Sequence, residues 1–117
     1  MISVAFKGNK LPNLSPTEAA DRASRGDLVL VDVRESSKRT QARPANSRHI
    51  PLADLPTELS ELPRDQTVAF ICRSGGRSQK AARAAADHGL TAANVQGGLN
   101  AWTEADLPVD SGPEQNA

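Results

Sequence analysis

Two short, nearly continuous apolar segments dominate the pattern of this 117-residue chain. Residues 28–33 (LVLVDV) and 67–71 (TVAFI) are rich in β-branched side chains and do not alternate with polar residues. A strand that is apolar on both faces is typical of a parallel sheet covered by helices on both sides. Since parallel strands need long crossover connections, which are usually helices, the two segments predict an α/β fold.

Helix signals lie on either side of these segments. Ser15 and Gly26 predict the N-cap and the end of a helix over residues 16–25. An alanine-rich stretch predicts a second helix over residues 78–88. Residues 35–47 show no periodicity, and we interpret them as a loop or a short irregular helix. The remaining predictions are strands at 50–53 and 93–96 and short helices at 56–62 and 99–105.

The charge balance excludes several classes of partner. The 14 Lys and Arg residues equal the 14 Asp and Glu residues, so no excess positive charge draws the chain to nucleic acid or anionic lipid. No apolar run approaches the roughly 20 residues that cross a bilayer. Residues 1–10 (MISVAFKGNK) lack the long apolar region of a secretory signal. We therefore expect a cytoplasmic protein with no nucleic-acid or membrane partner.

Cys72 is the only cysteine, so the chain forms no internal disulfide. The two histidines, His49 and His88, are too few to complete a four-ligand zinc site with it. The sequence therefore predicts no metal site. Cys72 is either a buried packing residue or a reactive thiol, and position alone favours packing.

The residues after Cys72 favour a reactive thiol over a packing residue. Cys72 directly follows the predicted strand 67–71, and Gly75 and Gly76 then lead towards the predicted helix at 78–88. Glycines allow successive backbone N–H groups to turn towards one point, which produces a cradle for an anion. The N-terminus of the helix adds partial positive charge to this cradle. The pattern therefore predicts a site where a negative sulfur is stabilised.

Four side chains of the same loop support a reactive thiol. Arg73 and Arg77 add positive charge, which lowers the pKa of a cysteine and favours the thiolate. Ser74 and Ser78 carry hydroxyl groups that can donate hydrogen bonds to the sulfur. Two arginines and a glycine pair serve no purpose beside a packing cysteine. We therefore interpret Cys72 as a nucleophile and the loop as the binding site for an anionic substrate.

Four short motifs, taken in order and with their spacing, resemble the rhodanese domain. They are DVR at 32–34, HIP at 49–51, CRSGGRS at 72–78 and GGLNAW at 97–102. The resemblance implies a rhodanese-like α/β fold with a central, mostly parallel five-stranded sheet and helices on both faces. It spans residues 14–108, nearly the whole chain.

This span sets the expected domain boundaries. A chain of this length builds one core. We therefore expect a single domain at 14–108, preceded by an N-terminal segment at 1–13. Residues 109–117 are polar, and we expect them to be a disordered tail.

The resemblance implies a sulfurtransferase of the thiosulfate type. Cys72 would attack the outer sulfur of thiosulfate or a related donor, release sulfite and hold the sulfur as a persulfide. Arg73 and Arg77 would bind the anionic donor. The acceptor would be cyanide, a thiol or a cysteine of a partner protein, and no cofactor is needed. Asp32, Arg34 and His49 would support the loops structurally.

Two other functions remain open at this stage. The chain could be a binding or sulfur-relay module that contacts a partner protein through residues 35–47. It could also handle phosphate or arsenate, because certain phosphatases with a similar fold carry a Cys-x5-Arg loop. Here only four residues separate Cys72 from Arg77, and Ser78 stands where the phosphatase arginine would be. The shorter loop favours sulfur over phosphate.

One region departs from the rhodanese pattern. The family usually has Gly-His-Ile-x-Gly-Ala, whereas this chain has Arg48 and Leu52 in place of the two glycines. If these positions need positive φ, the turn must be altered. Donor specificity could differ as a result.

Overall fold

The computed structural model describes residues 11–114. The chain alternates strands with helices for most of this length. Short 3₁₀ turns at Leu52–Asp54 and Leu59–Glu61 flank one of the helices. The strands are β1 (Asn13–Leu14), β2 (Val29–Asp32), β3 (Arg43–Pro44), β4 (Ser47–His49), β5 (Thr67–Ile71), β6 (Thr91–Val95) and β7 (Val109–Asp110), and the helices are α1 (Pro16–Ser24), α2 (Ser36–Gln41), α3 (Leu55–Glu58), α4 (Gly76–Asp87) and α5 (Gly98–Glu104).

Five strands form the main sheet in the order β1-β6-β5-β2-β4, and every neighbouring pair is parallel. The predicted α/β class and the five-stranded parallel sheet are therefore confirmed. Asp32 is in register with Ile71 on one side and with His49 on the other. Cys72 follows Ile71 directly, so it leaves the sheet beside the end of β2. This edge of the sheet collects the carboxyl ends of the strands, where sites of such folds lie.

The strand residues alternate between two apolar layers. Val31, Val68 and Phe70 face α4, which contributes only alanines to this layer. Ala69 and Ile71 face the opposite side, in the layer that contains α1 and Trp102 of α5. Small alanine side chains let α4 lie close to the sheet. Within residues 11–114, no helix is long and apolar enough to cross a bilayer.

Local signals place both long helices nearly as predicted. The Ser15 side chain accepts a hydrogen bond from the Glu18 N–H (3.1 Å), and Gly26, just beyond the end of α1, has φ +75°. The second helix, α4, starts at Gly76, two residues earlier than predicted. The reason is Gly75, whose φ of +110° makes the turn that the sequence assigned to a longer loop.

The predicted strand at 50–53 is wrong. The strand at this place is β4, and the chain enters a 3₁₀ turn at Leu52 after Pro51. The Ile50 N–H still donates to the Asp32 carbonyl (3.0 Å), which ends the pairing with β2. Ser47 and Arg48 are polar, so the sequence has no apolar pattern from which this strand could be predicted. The strand forms because it pairs with the neighbouring β2.

The predicted disordered tail is wrong for residues 109–114. Here β7 pairs antiparallel with β3, and the Glu114 carboxylate accepts hydrogen bonds from Arg39 (2.7 and 3.2 Å). The Arg39 hydrogen bond lowers the pKa of Glu114, so this attachment persists at neutral pH and is lost only as acid protonates the carboxylate. Residues 1–10 of the predicted N-terminal segment and residues 115–117 of the tail lie outside the described residues.

A buried carboxylate ties these elements together. Asp32 is fully buried and binds Arg34 through both oxygens (2.9 and 2.8 Å), and Arg39 approaches to 3.3 Å. Arg39 also donates to Ser47, which links α2 to β4. Residues 35–47, the segment considered above for contact with a partner protein, are not all available for such a contact, because Arg39 and Arg43 are buried.

These contacts predict that Arg39 contributes more to stability than its partner Glu114. Arg39→Met removes donors from the buried Asp32 and Ser47, so we expect a loss of about 2 kcal/mol in the free energy of unfolding. Glu114→Gln is the matched control, and we expect it to cost less than about 1 kcal/mol because Glu114 is 44% exposed. Urea unfolding measures both, and equal losses would contradict the central role of Arg39.

Candidate active site

Cys72 lies at the base of a pocket at the carboxyl edge of the sheet. Cys72 is only 2% exposed, because it directly follows β5 and lies in the layer between the sheet and α4. The pocket above it has a volume of about 340 Å³. The residues that line it with Cys72 are Arg73, Ser74, Gly76, Arg77 and Lys80.

Backbone N–H groups converge on the sulfur. The Gly75 N–H donates to Cys72 Sγ at 3.1 Å and the Ser78 N–H at 3.3 Å. The positive φ of Gly75 aims the first of these groups inward. The second comes from the first turn of α4, where N–H groups have no partner within the helix. The loop therefore holds its sulfur as an anion cradle would hold an anion.

The pKa of Cys72 is lowered although the thiol is buried. Burial alone would raise the pKa, and it is the largest single influence. Hydrogen bonds from the Ser78 hydroxyl and from the N–H groups of Ser78, Gly75 and Ser74 together outweigh it. Ser74 therefore acts through its backbone rather than through its hydroxyl. The result is a thiolate that forms more readily than that of a free cysteine.

The Ser78 hydroxyl has more acceptors than protons. Its oxygen lies 2.5 Å from Asn94 Oδ1 and 3.3 Å from the Gly75 carbonyl, and the same hydroxyl lowers the pKa of Cys72. A hydroxyl donates one hydrogen bond, and a negative sulfur is the strongest acceptor of the three. Asn94 is buried and holds Asn13 with its amide N–H (3.1 Å). Sequence analysis missed Asn94, although a lone amide inside an apolar strand was a usable signal.

The first turn of α5 hydrogen-bonds to the backbone of the same loop. The Leu99 N–H donates to the Cys72 carbonyl (2.8 Å) and the Asn100 N–H donates to the Arg73 carbonyl (3.0 Å). These bonds hold the first two peptide groups of the loop, and the second of these groups carries the Ser74 N–H that helps to lower the pKa of Cys72. The approach needs Gly98, because a Cβ there would lie 2.5 Å from the Cys72 oxygen. The glycine pair at the start of the GGLNAW motif thus touches the thiol loop.

The two arginines of the loop are exposed at the rim of the pocket. Arg73 and Arg77 line it together with Lys80, which sequence analysis did not single out. Among residues 11–114, none of the three forms an ion pair. The opening of the pocket is therefore positively charged and suits an anionic substrate.

The three residues predicted as structural support lie outside the pocket lining. Asp32 and Arg34 form the buried ion pair at the end of β2. His49 Nε2 donates to the Arg34 carbonyl at 2.7 Å and so joins β4 to the same loop. In the part of the chain that the structure describes, no three His, Cys, Asp or Glu side chains cluster as metal ligands.

Arg48 and Leu52 fit their positions without strain. Among residues 11–114, only Asn46 and Asp106 have positive φ without being glycine. Arg48 is exposed on β4, and the Leu52 N–H donates to the Val33 carbonyl (3.0 Å). The turn therefore needs no glycine in this chain.

The close contact between α5 and the thiol loop predicts that Gly98→Ala destabilises the protein. The new Cβ would collide with the loop backbone, so we expect a loss of more than about 2 kcal/mol in the free energy of unfolding and a higher pKa for Cys72. Gly26→Ala is the control, because Gly26 has a similar φ of +75° but no atom within 4 Å of the added Cβ. Urea unfolding and thiol alkylation measure the two effects. Equal losses would show that the contact with the loop is unimportant.

The hydrogen bond from Ser78 predicts the pH dependence of the thiol. In Ser78→Ala the hydroxyl is lost, so the alkylation rate of Cys72 with iodoacetamide should rise at higher pH than in the unmodified chain. Ser74→Ala keeps its N–H and should leave this pH profile in place. A profile that does not move in Ser78→Ala would rule out the hydroxyl as a donor to the sulfur.

Comparisons with known proteins show which proteins this chain resembles. The putative sulfurtransferase YtwF of Bacillus subtilis is 36% identical over 76 residues, which cover 65% of this chain and 74% of that protein. A sulfurtransferase of Allochromatium vinosum is 33% identical over 84 residues, covering 71% and 78%. The putative sulfur carrier protein YrkF of Bacillus subtilis is 35% identical over 77 residues, but these cover only 42% of its length.

A solved structure and a family match extend the agreement to the whole domain. The rhodanese-related protein of Thermoplasma volcanium has a TM-score of 0.78 at 29% identity, covering 85% of this chain and 97% of that one. The rhodanese-like domain family matches residues 15–105. The family match covers most of the chain and the solved structure has the same fold, so the chain belongs to the rhodanese-like domain family.

Proposed function

We propose that this protein transfers sulfur from thiosulfate or a related donor to a thiophilic acceptor through a persulfide on Cys72. The observation that carries the proposal is the contact of two N–H groups with the Cys72 sulfur, at 3.1 and 3.3 Å, in a pocket with a cationic rim. The relatives named as sulfurtransferases support the reaction class.

The first half-reaction loads the sulfur. The Cys72 thiolate attacks the outer sulfur of thiosulfate and forms an S–S bond, while the bond between the two sulfurs of thiosulfate breaks and sulfite leaves with its electron pair. One negative charge stays on the persulfide and two leave with sulfite. Arg73 and Arg77 at the rim bind the dianion. The N–H groups of the loop stabilise the persulfide anion that remains.

The second half-reaction transfers the persulfide sulfur to the acceptor. A thiolate or cyanide attacks the outer sulfur of the persulfide, the S–S bond breaks, and Cys72 leaves as the thiolate that the loop already stabilises. Cys72 is the only cysteine, so a thiol acceptor must come from another molecule. Cyanide, a small thiol such as glutathione and a protein cysteine all meet this requirement.

Loop length supports sulfur over phosphate. Only four residues separate Cys72 from Arg77, and the N–H groups of Gly75 and Ser78 both point at one atom, the Cys72 sulfur. Persulfide sulfur is a single atom, whereas phosphate presents four oxygens. We therefore propose sulfur transfer and not phosphate hydrolysis.

A sulfur-relay role is the second candidate. The resemblance to a putative sulfur carrier protein favours it, although that resemblance covers less than half of the carrier. A relay module would accept sulfur on Cys72 but turn over slowly with small donors and acceptors. A strong acceleration by a partner protein would distinguish it from an enzyme that works alone.

Intact-mass measurement tests the proposal. Incubation with thiosulfate should add one sulfur atom, about 32 Da, and cyanide or glutathione should remove it. The loading rate should rise with pH and level off above the lowered pKa of Cys72. Cys72→Ser should stay folded and gain no mass. Sulfur gain in that variant, or none in the reduced and folded chain, would refute the proposal.

A further inference from the structure

Cations continue from the pocket along the exposed face of α4. Arg73 and Arg77 stand at the rim, and Lys80 and Arg83 follow at helical spacing on the side of α4 away from the sheet. All four are exposed, and among residues 11–114 none forms an ion pair. We call these four residues the basic strip. The chain as a whole has no net charge, so this concentration is a local feature.

The surface along the strip is continuous with the active site. The pocket over Cys72 and a second depression of about 490 Å³ on α4 share Gly76 and Lys80 as lining residues. Arg83 lines the second depression and not the first. A molecule that reaches the sulfur from this side therefore lies along the strip.

The strip extends beyond the reach of a small donor. Arg83 follows Arg77 by six residues, which is about 9 Å along a helix axis. Thiosulfate is only a few ångströms long, so a donor at Cys72 does not contact Arg83. The outer half of the strip therefore has no role in binding the donor, and a larger molecule is needed to use it.

We propose that the basic strip is the docking surface for a protein acceptor whose reactive cysteine is surrounded by acidic side chains. This inference rests on the proposed sulfur transfer and names the partner class for its second half-reaction. The acceptor's carboxylates lie against Lys80 and Arg83 while its thiolate reaches the persulfide on Cys72. Complementary charge speeds encounter and fixes orientation, which a reaction at the buried Cys72 sulfur requires.

A protein fits these charges better than RNA. Asp87 ends the strip, and the segment 54–65, which packs beside α4, exposes four further carboxylates. An extended phosphate backbone would meet this negative charge, whereas a compact acidic patch would not. Single-stranded RNA also stacks on exposed aromatic rings, and within residues 11–114 both aromatic side chains, Phe70 and Trp102, are buried.

The test uses three short peptides, each with one cysteine, that differ only in flanking acidic, neutral or basic residues. The full chain is first loaded with thiosulfate, and the loading is checked by intact mass. Transfer of sulfur to each peptide is then timed at low and at high salt. A second measurement titrates fluorescent versions with serine in place of cysteine, so that anisotropy reports docking without any sulfur chemistry.

Charge variants locate the effect on the strip. Arg83→Glu should slow transfer to the acidic peptide at least about threefold and weaken its binding, while loading from thiosulfate stays unchanged. Lys38→Glu, an equal charge reversal at an exposed helical lysine of α2, should change neither. Asp87→Lys lengthens the strip and should speed transfer to the acidic peptide. High salt should remove these differences.

The outcomes separate the two proposals. Preference for the acidic peptide that depends on Arg83 supports the docking surface, even if loading fails and the sulfur-transfer proposal falls with it. Equal behaviour of the three peptides, or equal effects of Arg83→Glu and Lys38→Glu, overturns the docking surface. A dimer that Arg83→Glu dissociates would assign the strip to a second copy and overturn it. So would an RNA oligonucleotide that displaces the acidic peptide.

Discussion

Hydrogen bonds to the sulfur of Cys72 have to lower its pKa by more than burial raises it. The rest of the structure is arranged around this requirement. A buried thiol without donors would have a raised pKa and little reactivity at neutral pH. The donors come from Gly75, from Ser74 and from the first turn of α4. That turn lies within reach only because alanines let α4 pack closely on β5. The composition of one helix face thus bears directly on the chemistry of the thiol.

A second polar centre holds the opposite layer of the fold. Asp32 is fully buried at the end of β2, next to the strand that carries Cys72, and its two arginine partners come from α2 and from the loop before it. An unpaired carboxylate at that depth would be strongly destabilising, so the arginines must be present. One of them, Arg39, also binds Glu114 and brings the end of the described chain onto the domain. Order at the thiol edge of the sheet therefore depends on residues far apart in sequence.

The sequence predicted what local rules determine. The strands at 29–32 and 67–71, both long helices and the thiol loop follow from apolar runs, caps and glycines within a few residues of each other. Contacts between distant segments were not predictable in this way. Strand β4 is polar and exists through its pairing with β2, and β7 exists through β3. Asn94 and Gly98 reach the loop from β6 and α5, so no neighbouring residue in sequence indicates their contacts with it.

The hydrogen bonds between α5 and the thiol loop also limit where this loop could be lengthened. The carbonyls of Cys72 and Arg73 each accept an N–H from α5, so an inserted residue before Ser74 would pull one of them off the helix. An insertion between Ser74 and Gly76 would come after both of these carbonyls in the chain and could leave their bonds to α5 in place. A wider ring that encloses a tetrahedral oxyanion could therefore be grafted only there.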